Sequence, residues 1–203
     1  RSARVGKALS SPRRLELLDV LLQGPRTVDV LAARTAMSRA NTSQHLRLLA
    51  DARLVEARRE GQFVWYRVAG PDVAALYLDL RGVAEARVPE VREMVRAFVD
   101  SQDTLAPTEA EELLRRALSG EVTVLDVRPA EEFAAGHLPG ARSVPLEALA
   151  ALLPSLPRDV PVVAYCRGPL CVLAVSAVAR LRAAGFVAHR LDTGPPDWRR
   201  AGV

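Results

Sequence analysis

Apolar residues fall at helical spacing in the first fifty positions, at strand spacing in the next twenty, and in alternating strand and helix runs after position 108. Behind Ser11-Pro12, a cap and a helix-starting proline, Leu15, Leu18, Leu21 and Leu22 predict a short amphipathic helix that ends at Gly24-Pro25. A second helix is expected from Thr27, with Val28, Leu31 and Ala32 inward. A third starts at Ser38, with Thr42, Leu46 and Leu49 inward. Leu54–Arg58 and Phe63–Val68 are β-prone and joined by Arg59-Glu60-Gly61-Gln62, the pattern of a hairpin. Three short helices followed by a basic hairpin make a winged helix-turn-helix. From Pro71 a long helix carries Val73, Leu76, Tyr77, Leu80, Val83 and Ala84 on one stripe. Pro89 breaks or kinks it before Val91, Met94, Val95 and Phe98. A stripe of that length outside a small helical core implies dimer contacts.

Periodicity lapses over Ser101–Pro107 and resumes with Thr108-Glu109-Ala110-Glu111, a capping-box pattern. The expected division is therefore a DNA-binding and dimerisation domain over 1–101, a linker over 102–108 and a second domain over 109–203. In the second domain a helix (Glu111–Leu118) leads to a strand (Val122–Val127), a loop to Ala141 and a short apolar segment at Val144. A helix near Glu147–Leu153 follows, then a buried strand (Val160–Tyr165), a helix (Cys171–Ala184) and a strand (Val187–Leu191). Alternation of this kind predicts a parallel sheet with helices on its faces.

Composition narrows the function. With 203 residues, 49% hydrophobic and 4% aromatic, two compact units are the default. The longest apolar run, Leu170–Ala179, is too short for a bilayer. Arg1–Ser10 is basic without an apolar core, so no membrane contact and a cytoplasmic location are expected. Residues 1–70 hold thirteen Lys and Arg against six Asp and Glu, whereas 102–203 hold eleven against twelve. A genome-wide taste for arginine would raise both halves alike, so the asymmetry points to a polyanion bound by the first half.

On the third helix the inward residues leave Arg39, Ala40, Asn41, Ser43, Gln44 and Arg47 for base edges. Arg and Asn or Gln pair bidentately with guanine and adenine in the major groove. Arg13 and Arg14 on the first helix, with Arg58 and Arg59 on the hairpin, suit phosphates. Residues 1–100 resemble the ArsR/SmtB winged-helix repressors through Thr42-Ser43-Gln44-His45-Leu46-Arg47-Leu48-Leu49, Ala52-Arg53-Leu54-Val55 and the Arg58–Val68 wing. The resemblance implies a homodimer on a double-stranded DNA operator. Arg53 stands where that family usually has glycine. No cysteine occurs in this half, so the thiolate metal sites of many relatives are not possible in it. His45 without nearby thiols reads as a helix residue, and neither a metal nor a cofactor is expected.

The two cysteines, Cys166 and Cys171, are no framework for a secreted fold. Cys166 ends a predicted strand, and Arg167-Gly168-Pro169-Leu170-Cys171 leads from it to a helix. That is the end of a strand where open α/β sheets bind ligands. Loop amides, the helix start and Arg167 favour a thiolate, so Cys166 is the expected nucleophile. Residues 108–203 resemble the rhodanese family through Leu125-Asp126-Val127-Arg128-Pro129 with Glu132-Phe133, Gly136-His137-Leu138-Pro139-Gly140-Ala141, Cys166-Arg167-Gly168 and Trp198. The resemblance implies that Cys166 takes sulfane sulfur from a small donor (thiosulfate, a persulfide or a polysulfide), holds it as a persulfide and passes it on. Asp126, Arg128 and His137 would order the surroundings. Related phosphatases need an arginine six residues after the cysteine, and Val172 stands there, which disfavours phosphoryl chemistry. Cys171 has two readings: a resolving thiol for a persulfide or sulfenic acid on Cys166, or a small apolar residue at the helix start.

The expected protein is thus multidomain, a mainly-α winged helix-turn-helix followed by an α/β rhodanese-like domain with a parallel sheet. Its expected function is a DNA-binding repressor that senses reactive sulfur or redox state through Cys166. The alternative is a sulfurtransferase with an uncoupled, autoregulatory DNA-binding domain.

Overall fold

A computed structural model of the protein describes residues 2–90, 93, 104–105, 110–168 and 171–201. The chain divides into two compact units, residues 1–81 and 82–203.

The first unit opens with α1 (Ser2–Leu9), which the sequence reading did not anticipate, and continues with α2 (Pro12–Leu22), β1 (Arg26–Thr27), α3 (Val28–Arg34) and α4 (Arg39–Asp51). Strands β2 (Val55–Glu60) and β3 (Phe63–Val68) form the wing, and α5 (Pro71–Arg87) follows. Leu18, Leu21, Leu31, Leu46 and Leu49 close one core with Leu54 and Val73 as the periodicity predicts, but Leu15 is only half-buried, and Leu17, outside the expected stripe, is fully buried in that core. β1 adds a third strand, antiparallel to β3, in the order β1-β3-β2. Glu60 pairs with Phe63, so the turn is only Gly61-Gln62 and the expected four-residue loop is two residues shorter. Gly61 takes φ 59°, the left-handed region such turns demand. On α5, Val73 and Leu78 are buried while Leu76, Leu80 and Val83 stay exposed. The helix stops at Arg87, because the residue before Pro89 is sterically pushed out of helical geometry. Val91, Met94, Val95 and Phe98 lie outside the described residues.

The second unit contains β4 (Thr104–Leu105), α6 (Ala110–Leu118), β5 (Thr123–Asp126), α7 (Ala130–Ala135), β6 (Arg142–Ser143) and α8 (Leu149–Leu152), with a 3-10 turn at Leu153–Ser155. Then come β7 (Val162–Tyr165), α9 (Val172–Ala183), β8 (Ala188–Leu191) and α10 (Pro195–Ala201). The expected parallel sheet is present: β4-β8-β7-β5-β6, every neighbouring pair parallel. Two of its helices, α7 and α10, fall where the sequence reading had a loop or nothing. Thr104–Leu105, in the expected linker, pair with Arg190–Leu191 at the sheet edge.

Alternation along the central strand sets the site. Val162, Ala164 and Cys166 face the core that contains Ala174, Ala177, Val178 and Leu181 of α9. Val163 and Tyr165 face the opposite core with Leu138 and Trp198. Among the described residues no helix is long and apolar enough to cross a membrane.

Candidate functional sites

Helix α4 starts where its sequence directs. Ser38 Oγ accepts from the Asn41 N–H at 3.2 Å, and Thr42 Oγ1 donates to the Ser38 carbonyl at 2.9 Å. Burying Thr42, Leu46 and Leu49 leaves Arg39, Ala40, Asn41, Gln44 and Arg47 exposed and Ser43 half-buried on the remaining surface. The helix ends in a left-handed residue: Arg53 has φ 62°, with Leu54 N–H donating to the Leu49 carbonyl at 2.9 Å.

The basic residues around α4 have local partners. Arg39 lies 3.3 Å from Asp29, Arg58 3.3 Å from Glu60, and Arg13 3.0 Å from Glu16. Arg59 Nε donates to the Gly61 carbonyl at 3.3 Å. Pairs this exposed contribute at most about 1 kcal/mol, so a phosphate competes with them readily. Arg14 differs: its Nε donates to the Ala8 carbonyl and its Nη2 to the Lys7 carbonyl at 2.8 Å, which closes the end of α1. His45 is a half-buried helix residue whose Nδ1 has no partner among the described residues. Burial, then Arg14 and Arg13, hold its pKa below the ordinary 6.5.

In the second unit Cys166 follows β7 and is only 1% exposed, and Cys171 is the cap residue of α9. Their sulfurs are bonded, with Cα atoms 6.1 Å apart. The structure therefore shows the loop with its two thiols bonded, an arrangement that agrees with Cys171 as a resolving thiol, and the expected Cys166 thiolate belongs to the reduced form of the same pair. Cys171 N–H donates to the Gly168 carbonyl at 3.2 Å, which folds the loop back on itself. Pro169 and Leu170 lie outside the described residues. Gly194 supports this loop from outside: a Cβ there would sit 2.7 Å from the Cys166 oxygen and from the Arg167 carbon and oxygen. Only a residue without a side chain permits that approach.

One ion pair braces the loop, and a second lies at the end of the neighbouring strand β5. Arg167, a quarter exposed, reaches Glu132 on α7, which is 1% exposed, through Nη2–Oε1 at 2.6 Å and Nε–Oε2 at 2.9 Å. Asp126 and Arg128, both fully buried, meet through Nη2–Oδ2 at 2.6 Å and Nε–Oδ1 at 2.9 Å. Asp126 Oδ1 also accepts from the Arg128 N–H at 3.0 Å, and Arg128 Nη2 donates to the Gly136 carbonyl at 2.8 Å. Tyr165 packs edge-on against Trp198 at 4.7 Å and accepts from the Leu138 N–H at 3.1 Å. Burial, then Asp126, raises its pKa far above the phenol range, so the hydroxyl stays neutral. His137 stacks on Phe133 at 3.6 Å and its Nδ1–H donates to the Phe133 carbonyl at 2.9 Å.

Glu132 belongs to a motif quoted above without a role, and Gly194 to none of those motifs. A buried carboxylate next to apolar Phe133 was the available sign for Glu132. The backbone approach at Gly194 depends on the fold and had no sequence signal beyond the glycine itself.

The site and fold define a winged-helix DNA-binding protein that carries a rhodanese-like domain. A family model described as bacterial regulatory protein, arsR family, matches residues 11–57, and one described as rhodanese-like domain matches residues 109–201. The chain is 47% identical to the HTH-type transcriptional regulator Rv0324 of Mycobacterium tuberculosis over 99% of this chain and 88% of that one. It is 39% identical to a probable mercury resistance operon repressor of Streptomyces lividans, over 41% of this chain and 66% of that one. A solution structure of the homodimeric winged helix-turn-helix DNA-binding domain (fragment 1-100) of Mb0332 from Mycobacterium bovis, a possible ArsR-family transcriptional regulator, is also similar. It is 47% identical with a TM-score of 0.42, and the match covers 43% of this chain and 81% of that one. The chain belongs to the ArsR family of HTH-type transcriptional regulators and carries a C-terminal rhodanese-like domain.

Proposed function

We propose that this regulator is a homodimeric repressor whose rhodanese-like domain converts sulfane sulfur or redox state into a change in operator affinity. The single observation behind this reading is the bonded pair Cys166–Cys171, placed between the end of a central parallel strand and the start of α9. In the reduced protein the Cys166 thiolate attacks the outer sulfur of a persulfide R–S–SH. The donor S–S bond breaks, RS⁻ leaves and takes up a proton, and Cys166 holds the sulfur as a persulfide. The Cys171 thiolate then attacks the inner sulfur, HS⁻ departs, and the disulfide closes. The protein dithiol is oxidised and the donated sulfur is reduced to sulfide, so no other oxidant is needed.

The exposed stripe Leu76, Leu80 and Val83 on α5 is the surface for a second copy. Arg39, Asn41, Gln44 and Arg47 read bases, and Arg13, Arg58 and Arg59 meet phosphates. For coupling, the two loop states must favour different dimer conformations.

The test is a DNA shift assay on the chain's own upstream region, with reduced and persulfide-treated full-length protein and with Cys166→Ser. A change in affinity of fivefold or more that Cys166→Ser abolishes is expected. Equal affinity of the reduced and treated forms overturns the sensing role. Binding should weaken with salt, log K falling by about 0.9 per phosphate neutralised; a flat response would refute the DNA assignment.

A further inference from the structure

We infer that the winged unit carries a binding site for a small zwitterionic dicarboxylate where α1, the end of α4 and the start of β2 meet. It goes beyond the sulfur chemistry and the base-facing surface proposed above.

A cavity of about 370 Å³ opens there, lined by the charged side chains of Arg4, Asp51, Arg53 and Glu56 together with apolar Val55 and Ala69. That volume lies in the range of small-molecule sites. Glu56 is already neutralised: Arg67 donates to its Oε2 from Nη2 at 2.7 Å and from Nε at 3.1 Å. The side chains of Arg4, Asp51 and Arg53 have no hydrogen-bond or ion-pair partner among the described residues. Two cations and one anion therefore line one cavity unmatched, with one net positive charge.

Arg53 adds a second observation. It holds φ 62°, a conformation in which a Cβ is strained and glycine is at ease. The helix end needs only the left-handed backbone, so what an arginine adds is its side chain, and that side chain lines the cavity.

The charge pattern names the ligand class. Arg4 and Arg53 each suit a carboxylate, which a guanidinium binds through two N–H groups. Asp51 suits an ammonium, as does the C-terminal end of α4, where the helix dipole is negative. Two carboxylates and one ammonium carry one net negative charge, the complement of the site. A DNA phosphate fits less well. Asp51 repels it, and Asp51 lies about 18 Å along the axis from Arg39, at the other end of α4 from the turn that enters a groove.

The experiment is a calorimetric titration of the full-length protein without DNA. L-Glutamate and γ-glutamylglycine carry the three groups at two spacings, glutarate lacks the ammonium, and L-glutamine lacks one carboxylate. At least one of the first two is expected to bind, about tenfold or more tightly than glutarate and L-glutamine. Arg53→Gly suits the backbone at this position, and a thermal midpoint no lower than the parent's shows its fold intact. It is expected to weaken that binding about tenfold, which is about 1.4 kcal/mol, and Arg4→Ala likewise. Asp51→Asn is expected to weaken the three-group probe and not glutarate. No binding of either three-group probe at about 10 mM, weaker than the millimolar range, overturns the inference. So does unchanged affinity in Arg53→Gly, or inorganic phosphate binding as tightly, which marks a general anion surface.

Discussion

The Asp126–Arg128 pair gives the sharpest physical test of the second unit. Both side chains are fully buried, and Arg128 also holds the Gly136 carbonyl. Arg128→Met keeps the stem and removes the charge, which leaves a buried carboxylate without its cation and a carbonyl without its donor. Breaking such a pair from one side costs about 3–5 kcal/mol. The double variant Asp126→Leu/Arg128→Met removes both charges. What remains lost is the bond to Gly136, the one from the Arg128 N–H to Asp126 and the side-chain bond between Tyr165 and Asp126, together about 1.5–4 kcal/mol. The double variant should therefore be more stable than Arg128→Met alone by about 1 kcal/mol, a coupling readable from a double-mutant cycle. Urea unfolding followed by Trp198 fluorescence in a Trp65→Phe background isolates this unit, because these are the only two tryptophans. Trp198 reports well because it is 4% exposed and packed on Tyr165. An Arg128→Met variant within about 1 kcal/mol of the parent would refute the reasoning, since a desolvated carboxylate cannot be that inexpensive. A double variant less stable than the single one would refute it equally.

Gly194→Ala drives a Cβ into three backbone atoms of the Cys166 loop. It should lower the urea midpoint reported by Trp198, by about 1–3 kcal/mol in stability, and slow closure of the Cys166–Cys171 disulfide; an unchanged closure rate sinks the supporting role of Gly194. Arg53→Gly relieves a left-handed non-glycine residue at about 1–2 kcal/mol and gives back part of it in chain entropy. The winged unit should gain about 0.5–1 kcal/mol, or about 3–6 °C in thermal midpoint, checked by calorimetry. His45 titrates below 6.5 in the fold, so its contribution to stability is complete above that pH and is lost as pH falls through the folded value. Chemical unfolding from about pH 5 to about pH 8, the span in which histidine titrates, should show this loss in the parent and less of it in His45→Gln.

How much of this was legible before the structure depends on the range of the forces involved. Ser38, Thr42, Leu46 and Leu49 announce α4 because capping and burial at i, i+4 and i+7 are local, and the structure reproduces that helix and its inward face. The strand before Cys166 was equally readable, since four consecutive buried residues leave it little other role. Helices α7 and α10 were missed because their burial is set by distant partners: Glu132 by Arg167 across the fold, Trp198 by Tyr165. β1 is two residues long and exists through its pairing with β3, so no periodicity can reveal it. The same reasoning applies to Arg53. Its neighbours specify a helix end with a left-handed residue, and the sequence supplies an arginine where glycine is the easier choice, so the global fold overrides the local preference. At the sulfur loop the balance tips further: six residues name the nucleophile, but whether Arg167 confronts a donor or is silenced depends on one carboxylate thirty-five positions earlier. Spacing can identify a thiol, while the charge that the thiol presents to its substrate is a property of the assembled fold.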